Sequence, residues 1–302
     1  MRERVARRAA FLAAIRAFFA ARGVLEVDTP HWREYGVTDV HLLSLAVEGG
    51  GFLQTSPEFA MKRLLSAGAG DIYQLAHVFR GEEAGRKHLR EFMMLEWYRL
   101  GFDHWQLMDE VAELVRHVLP QVGKARHTPY RQTFIEHFGE DVMALADADL
   151  RACCVARLPE CAAWQMARDG WLDLLFTHVV EPQLGRGGME FVVDYPPSQA
   201  ALARVIARDG ERVAARFELY IEGMELCNGF WELADAAEQR ARFLADNAER
   251  AALGLAPMAL DEGLLAALQA GLPACAGVAL GVDRLLMLAT GAGHIDEVVL
   301  EY

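Results

Sequence analysis

Two stretches of this chain, Asp71 to Arg99 and Arg216 to Phe230, each read as strand, turn, strand, and they constrain the fold more than any other feature. In the first, Asp71 to Arg80 and Glu91 to Arg99 flank the charged, glycine-containing segment Gly81 to Arg90, which makes a long-looped antiparallel hairpin. In the second, Glu222-Gly223 forms a two-residue turn that pairs Ile221 with Met224 and Tyr220 with Glu225. That pairing puts Glu218 and Glu225 on one face as diagonal neighbours. Two carboxylates so placed repel each other and need a cation, a raised pKa or solvent; Mg²⁺ held by one or two carboxylates and substrate phosphates suits them, and a solvated acidic face suits them equally.

Helices frame these hairpins. Phe11, Leu12, Ile15, Phe18 and Phe19 follow helical spacing up to the terminator Gly23, and Val24 to Asp28 then alternates like a strand before Thr29-Pro30. After a turn at Gly49 to Gly51, Thr55-Ser56-Pro57-Glu58 leads into a short helix. A helix capped by Asp103 stops at Pro120, and residues from about 103 to 185 read as a helical insertion packed on the core, without assignable chemistry. Met189 to Asp194 is a further strand; helices at about Asp235 to Leu253 and Asp261 to Ala270 precede a strand, Ala274 to Leu280, that runs through Gly281 into a last helix, Val282 to Ala289. With no repeat or linker, residues 1–302 are expected to form one α+β domain, a mainly antiparallel sheet flanked by helices.

Composition removes several functions. A net charge of −13 argues against broad gripping of nucleic acid, which relies on clustered Lys and Arg. The uncharged run Gly263 to Val282 holds a Gly271-Leu272-Pro273 break, so it reads as two soluble elements and a turn. The six arginines among the first 22 residues lie on an amphipathic helix rather than a transit peptide. The 5 cysteines form no framework and the 10 histidines no zinc pattern, so reduced thiols and a cytoplasmic location are expected.

Three pieces carry chemistry. Arg80 ends one strand of the first hairpin and can fork onto a phosphate; Phe92, on the return strand with Glu96 and Tyr98, can stack on a base; Glu82, Arg86, Lys87 and His88 can close over a polyphosphate. The acidic pair of the second hairpin is the next piece. In the third, Gly277 to Arg284, a strand ends at Gly281 and delivers Arg284 at a helix start, where anions are favoured.

In this order the pieces resemble the catalytic domain of class II aminoacyl-tRNA synthetases over nearly the whole chain. The carrying residues are Phe79-Arg80-Gly81-Glu82 and Gly281-Val282-Asp283-Arg284, with Ser56 to Leu64, Met94 to Tyr98 and Glu225 to Leu233 pointing to the lysyl branch. A kinase or dinucleotide-binding fold fits none of them. No barrel-sized segment precedes the first motif, so no anticodon-binding domain and no stable tRNA binding are expected, and the chain is similar to the elongation factor P lysine ligases, synthetase paralogues that attach lysine or (R)-β-lysine to a protein lysine. The resemblance implies ATP as co-substrate, Mg²⁺ at Glu218 and Glu225, a homodimer formed through the first motif, and no membrane association. It implies Arg80 and Arg284 as catalytic residues. It places Ser56 and Glu58 at the α- or β-amine, Tyr98 and Glu232 toward the side-chain end, Glu96 as a further acid of the pocket, and Asn228, Phe230 and Ala279 along it. Glu82, His88, Phe92, Glu225, Leu226, Gly281 and Arg284 are implied as ATP contacts along with Arg80.

Because the expected acceptor is acidic, Lys62-Arg63, Arg86-Lys87 and Arg90 are candidates for a docking patch, or are merely solvated charge. Two departures stand out: Leu89-Arg90 replaces the family's Asn-Pro, and Trp231 replaces a small or polar neighbour of Glu232. Three other readings remain: a lysine-activating enzyme with a tRNA or small-amine acceptor, an inactive regulatory relative, and an asparagine-synthetase-like enzyme. The last is disfavoured by three glutamates where an extra substrate carboxylate would sit.

Overall fold

Phe11, Ile15, Phe18 and Phe19 are buried along one face of α1 (Arg2–Ala20), while Arg2, Arg7 and Arg16 stay exposed. Phe19 stacks on Tyr73 at 4.4 Å and meets Trp97 edge-on at 5.4 Å, which ties the helix to the sheet. In this computed structural model, residues 1–81 and 85–300 are described. They divide into a first unit, Met1–Pro120 with the chain from Trp231 onward, and a second, Gln121–Phe230.

The strand expected after α1 is short: β1 (Leu25–Glu26) pairs in parallel with the first strand of the long-looped hairpin. A small ribbon, β2 (Trp32–Arg33) with β3 (Phe52–Leu53), precedes α2 (Glu58–Ser66). The hairpin forms as expected from β4 (Ile72–Phe79) and β5 (Glu91–Leu100), in register from Phe79 opposite Glu91 to Ile72 opposite Tyr98. Asp103 caps α3 (His104–Val118) in a reciprocal capping box with Gln106, satisfying backbone donors the helix start leaves open. This helix belongs to the first unit and packs on α1, so the helical stretch expected from about 103 divides after it.

The second unit opens with a strand that sequence reading assigned to helix. β6 (Ala125–Pro129) runs parallel to β7 (Met189–Tyr195), and α4 (Tyr130–Phe138), α5 (Asp147–Arg157) and α6 (Arg168–Leu175) lie between them in the chain. β8 (Val205–Arg208), β9 (Glu211–Ile221) and β10 (Met224–Trp231) complete a sheet ordered β10–β9–β7–β6, with β8 on β9. Tyr130, Phe134, Leu172, Phe176 and Tyr220 share its core.

Returning to the first unit, α7 (Ala236–Ala252) and α8 (Glu262–Gly271) are capped by Asp235 and Asp261. β11 (Cys275–Gly281) then pairs antiparallel with β5 before α9 (Val282–Thr290). Its pairings put Gly277 opposite Tyr98 and Ala279 opposite Glu96. Each unit's sheet contains one parallel pair beside antiparallel ones, which is the mixed, mainly antiparallel α+β architecture expected. Among the described residues no helix is long and apolar enough to cross a membrane; the uncharged run from 263 to 282 is spread over α8, β11 and the start of α9.

Candidate active site

An acidic pocket is built on β5 and the start of α2. Alternation along β5 puts Glu96 and Tyr98 on one face, and both are buried. The Tyr98 hydroxyl donates to Glu96 Oε1 at 2.6 Å, and the Ser56 hydroxyl donates to Glu96 Oε2 at 2.6 Å. Ser56 Oγ also accepts from the backbone N–H of Glu58 at 2.9 Å, which fixes the entry to α2. Burial, and next the charge of Glu58, push the Glu96 carboxyl up to about 8, and burial together with Glu96 drives the Tyr98 hydroxyl well above its ordinary range.

Lys62, one turn along α2 from Glu58, corrects the docking-patch expectation. It is 1 % exposed, with Nζ 2.6 Å from Glu58 Oε1 and 2.6 Å from Glu232 Oε2, so it faces the pocket rather than solvent. Burial works against its charge, but the Glu232 and Glu58 carboxylates outweigh burial and hold its pKa above the ordinary lysine value. Arg63 is engaged by Asp261, while Arg86 and Arg90 remain exposed. Gly277 leaves the room that Tyr98 and Glu232 occupy: a Cβ there would stand 2.2 Å from the Tyr98 ring and 2.6 Å from Glu232 Oε1. Ala279, half-buried, lies beside Glu96 across the strand pair.

On the same unit, the Arg80 guanidinium sits over the Phe92 ring at 5.3 Å and its Nε is 3.4 Å from the Thr55 carbonyl. Arg284, at the first turn of α9, donates to the Lys87 carbonyl at 3.2 Å, and Gly281 caps that helix. His88 is half-buried, with its backbone bridged to Gly85. Glu82 lies outside the described residues. Asp283, next to Arg284, is buried and accepts from Arg8 at 2.6 Å and from the Met93 backbone at 2.7 Å, a link between α1, β5 and α9 that the motif reading passed over. Trp231, one of the departures, stacks on the buried His104 at 6.2 Å.

In the second unit the turn at Glu222-Gly223 pairs Ile221 with Met224 and Tyr220 with Glu225 as expected, but the register then slips between Glu225 and Cys227. The bulge makes Asn228, not Cys227, the partner of Glu218, and so turns Asn228 and Phe230 onto the face of Glu218, Tyr220 and Glu225. Leu226 is buried and Glu225 half-buried. Glu218 is neither solvated nor solely Glu225's neighbour. It accepts from Tyr195 at 2.6 Å, Tyr220 at 2.5 Å, Arg216 at 2.5 Å and Asn228 Nδ2 at 3.3 Å. Burial, then the Glu218 charge, hold the Tyr195 and Tyr220 hydroxyls well above their usual range. Asn228 Oδ1 is buried and has no donor among the described residues, the condition of an atom meant for a ligand. Among those residues no group of three or more His, Cys, Asp or Glu side chains is arranged to hold a metal ion alone. Glu218 and Glu225 nevertheless fit Mg²⁺ in donor type, since that ion takes one or two carboxylates and completes its shell with phosphates and water.

The fold and these sites define a class of protein. The family model for class II tRNA synthetases of the D, K and N type matches residues 1–300, and the chain belongs to that family. Within it, the chain is 50 % identical to an elongation factor P (R)-β-lysine ligase of Vibrio vulnificus (strain YJ016), over 98 % of this chain and 94 % of the relative. It is similarly 48 % identical to the ligase of the same name from Edwardsiella ictaluri (strain 93-146), over 97 % of this chain and 93 % of the relative.

Proposed function

We propose that this protein is an ATP-dependent ligase that activates (R)-β-lysine, or lysine, as an aminoacyl-adenylate and transfers it to the ε-amine of a lysine of elongation factor P. The names carried by its close relatives support the acceptor. The observation that carries the substrate class is the pocket of Glu58, Glu96 and Glu232: buried carboxylates suit ammonium groups and repel a substrate carboxylate. A pocket of this sign also disfavours an aspartate-activating relative.

Glu232 with Tyr98 holds the side-chain end of the amino acid, Ser56 and Glu58 its nearer amine, and Glu96, bonded to both Ser56 and Tyr98, is the third acid of the pocket. The substrate carboxylate oxygen attacks the α-phosphorus of ATP, the bond to pyrophosphate breaks, and Arg80 stabilises the charge developing on the phosphoryl oxygens. Phe92 and Arg284 flank the adenine, with Arg284 and His88 toward the terminal phosphates, and Glu82 reads the adenine edge. Of the second unit's residues, Glu218 and Glu225 would hold Mg²⁺, Glu218 by exchanging one of its four present donors; the ion would neutralise the leaving pyrophosphate. Asn228 and Phe230 would contact the amino acid, and Leu226 and Gly281 the nucleotide. In transfer, the acceptor amine loses a proton, attacks the acyl carbon and releases AMP; the AMP phosphate is the proposed proton acceptor.

The chain as one catalytic domain, a cytoplasmic site of action and a homodimer through α1 belong to the same reading; free cysteines and the more than half-exposed Leu25 and Trp32 are consistent with it. The test is the intact mass of elongation factor P after incubation with this protein, ATP, Mg²⁺ and either lysine isomer. A gain of one lysyl unit is expected. No gain, with lysine-dependent pyrophosphate exchange intact, would assign the acceptor elsewhere, to a tRNA or a small amine.

A further inference from the structure

We infer that Lys62 is a specificity-determining residue of the amino-acid pocket: its ammonium cancels one of three glutamate charges and leaves two, one for each ammonium group of a diamino acid. The inference deepens the proposed function and rests on it.

Three carboxylates, Glu58, Glu96 and Glu232, face this pocket, and Lys62 is the cation between the first and last of them, 2.6 Å from each and 1 % exposed. A lysine serving only to pin α2 would need a single partner. Here it bridges the acid of its own helix to Glu232, also in the first unit, and among the described residues no cation pairs with Glu96. The groups facing Glu96 are Ser56 and Glu58 from α2 and its entry, Tyr98 on its own strand, Glu232, and the neutral Gln74 and Ala279 on adjacent strands.

The charges then follow a definite cycle. In the empty pocket Lys62 pairs with Glu58 and Glu232, and Glu96, whose carboxyl is pushed up to about 8, holds a proton at neutral pH. A diamino acid brings two ammonium groups; Glu96 releases its proton to solvent, and the two uncompensated charges are matched. An analogue with one ammonium leaves no second cation to make that release favourable. Without Lys62 a third negative charge would appear, and Glu96 would keep its proton even with the diamino acid bound.

The measurement is calorimetric titration of lysine and of (R)-β-lysine into the full-length protein near pH 7, in buffers of different ionisation enthalpy, which counts the protons released. Release of about one proton per diamino acid is expected. 6-Hydroxynorleucine, with a hydroxyl in place of one ammonium, should bind at least about tenfold more weakly and release none. Lys62→Met should bind lysine without proton release. Equal proton release with 6-hydroxynorleucine, or unchanged release in folded Lys62→Met, overturns the role of Lys62 and leaves the proposed activity standing. If Lys62→Met does not fold, the comparison of ligands on the unaltered protein decides. Failure of the unaltered protein to bind either diamino acid removes the proposed function, and this inference with it.

Discussion

Tyr195 donates its hydroxyl to Glu218 at 2.6 Å, across a strand pair whose register slips between Val193 and Tyr195. Asp194 adopts a left-handed φ of 56° at that slip. On the other side of Glu218 a second slip, between Glu225 and Cys227, brings Asn228 to the same carboxylate. Two irregularities in one sheet thus converge on a single buried acid, in keeping with the use of bulges to re-aim side chains near functional sites.

Arg216 supplies the only cation paired with Glu218 among the described residues, and its removal leaves a buried carboxylate uncompensated. Arg216→Leu should cost roughly 3–5 kcal/mol of stability, against about 1–3 kcal/mol for Tyr195→Phe, where three donors remain. Denaturant melts of the two variants beside the unaltered protein check the order.

Glu96 makes stability fall with pH. Its folded pKa is raised from 4.5 to about 8, so across that window the folded state holds a proton that the unfolded chain has released. Raising pH therefore favours unfolding, by at most about 1.4 kcal/mol per pH unit from this group. Thermal melts from pH 5 to pH 8 should show this slope in the ligand-free protein and lack that component in Glu96→Gln.

Gly277→Ala should damage amino-acid binding while leaving the backbone unstrained, because the conflict is with side chains: the new Cβ falls 2.2 Å from the Tyr98 ring and 2.6 Å from Glu232 Oε1. Displacing those groups should lower kcat/KM for the lysine substrate about 10- to 100-fold. Pyrophosphate exchange at varied amino-acid and fixed ATP concentration measures it, with KM for ATP little changed.

Arg8→Ala strips Asp283 of its ion pair, leaving a side chain 2 % exposed with, among the described residues, only the Met93 N–H and no cation. A loss of about 3–5 kcal/mol is expected. Asp283→Asn, which keeps a neutral acceptor for Met93 and leaves no buried charge, should cost less, as parallel melts would show.

Most of the elements were legible in the sequence because their signals are local. The Asp103 cap, the Glu222-Gly223 turn, the hairpin of β4 and β5, and the passage of β11 through Gly281 into α9 all came out where spacing put them. β6 did not: it is a short strand whose partner, β7, lies some sixty residues further on, so nothing near it in the chain marks it as sheet. The bulge at Leu226 was hidden for a related reason, since alternation continues through it in the sequence and only the partner strand reveals the extra residue.

The sequence by itself determined which side chains are available: three glutamates and a tyrosine on elements that a synthetase-like order brings into use, two arginines at strand and helix ends, and an acidic pair on a hairpin. Tertiary structure alone decided their burial and partners, and with them the raised carboxyl of Glu96. Lys62 looks in sequence like one of two adjacent surface cations, yet it is enclosed between Glu58 and Glu232, while its neighbour Arg63 turns to Asp261. Glu218 looks like half of a metal pair, yet it carries two tyrosines, an arginine and an asparagine. The physical reason is that burial and pairing set the ionisation of a carboxylate, and both depend on residues that meet only when distant strands are laid side by side.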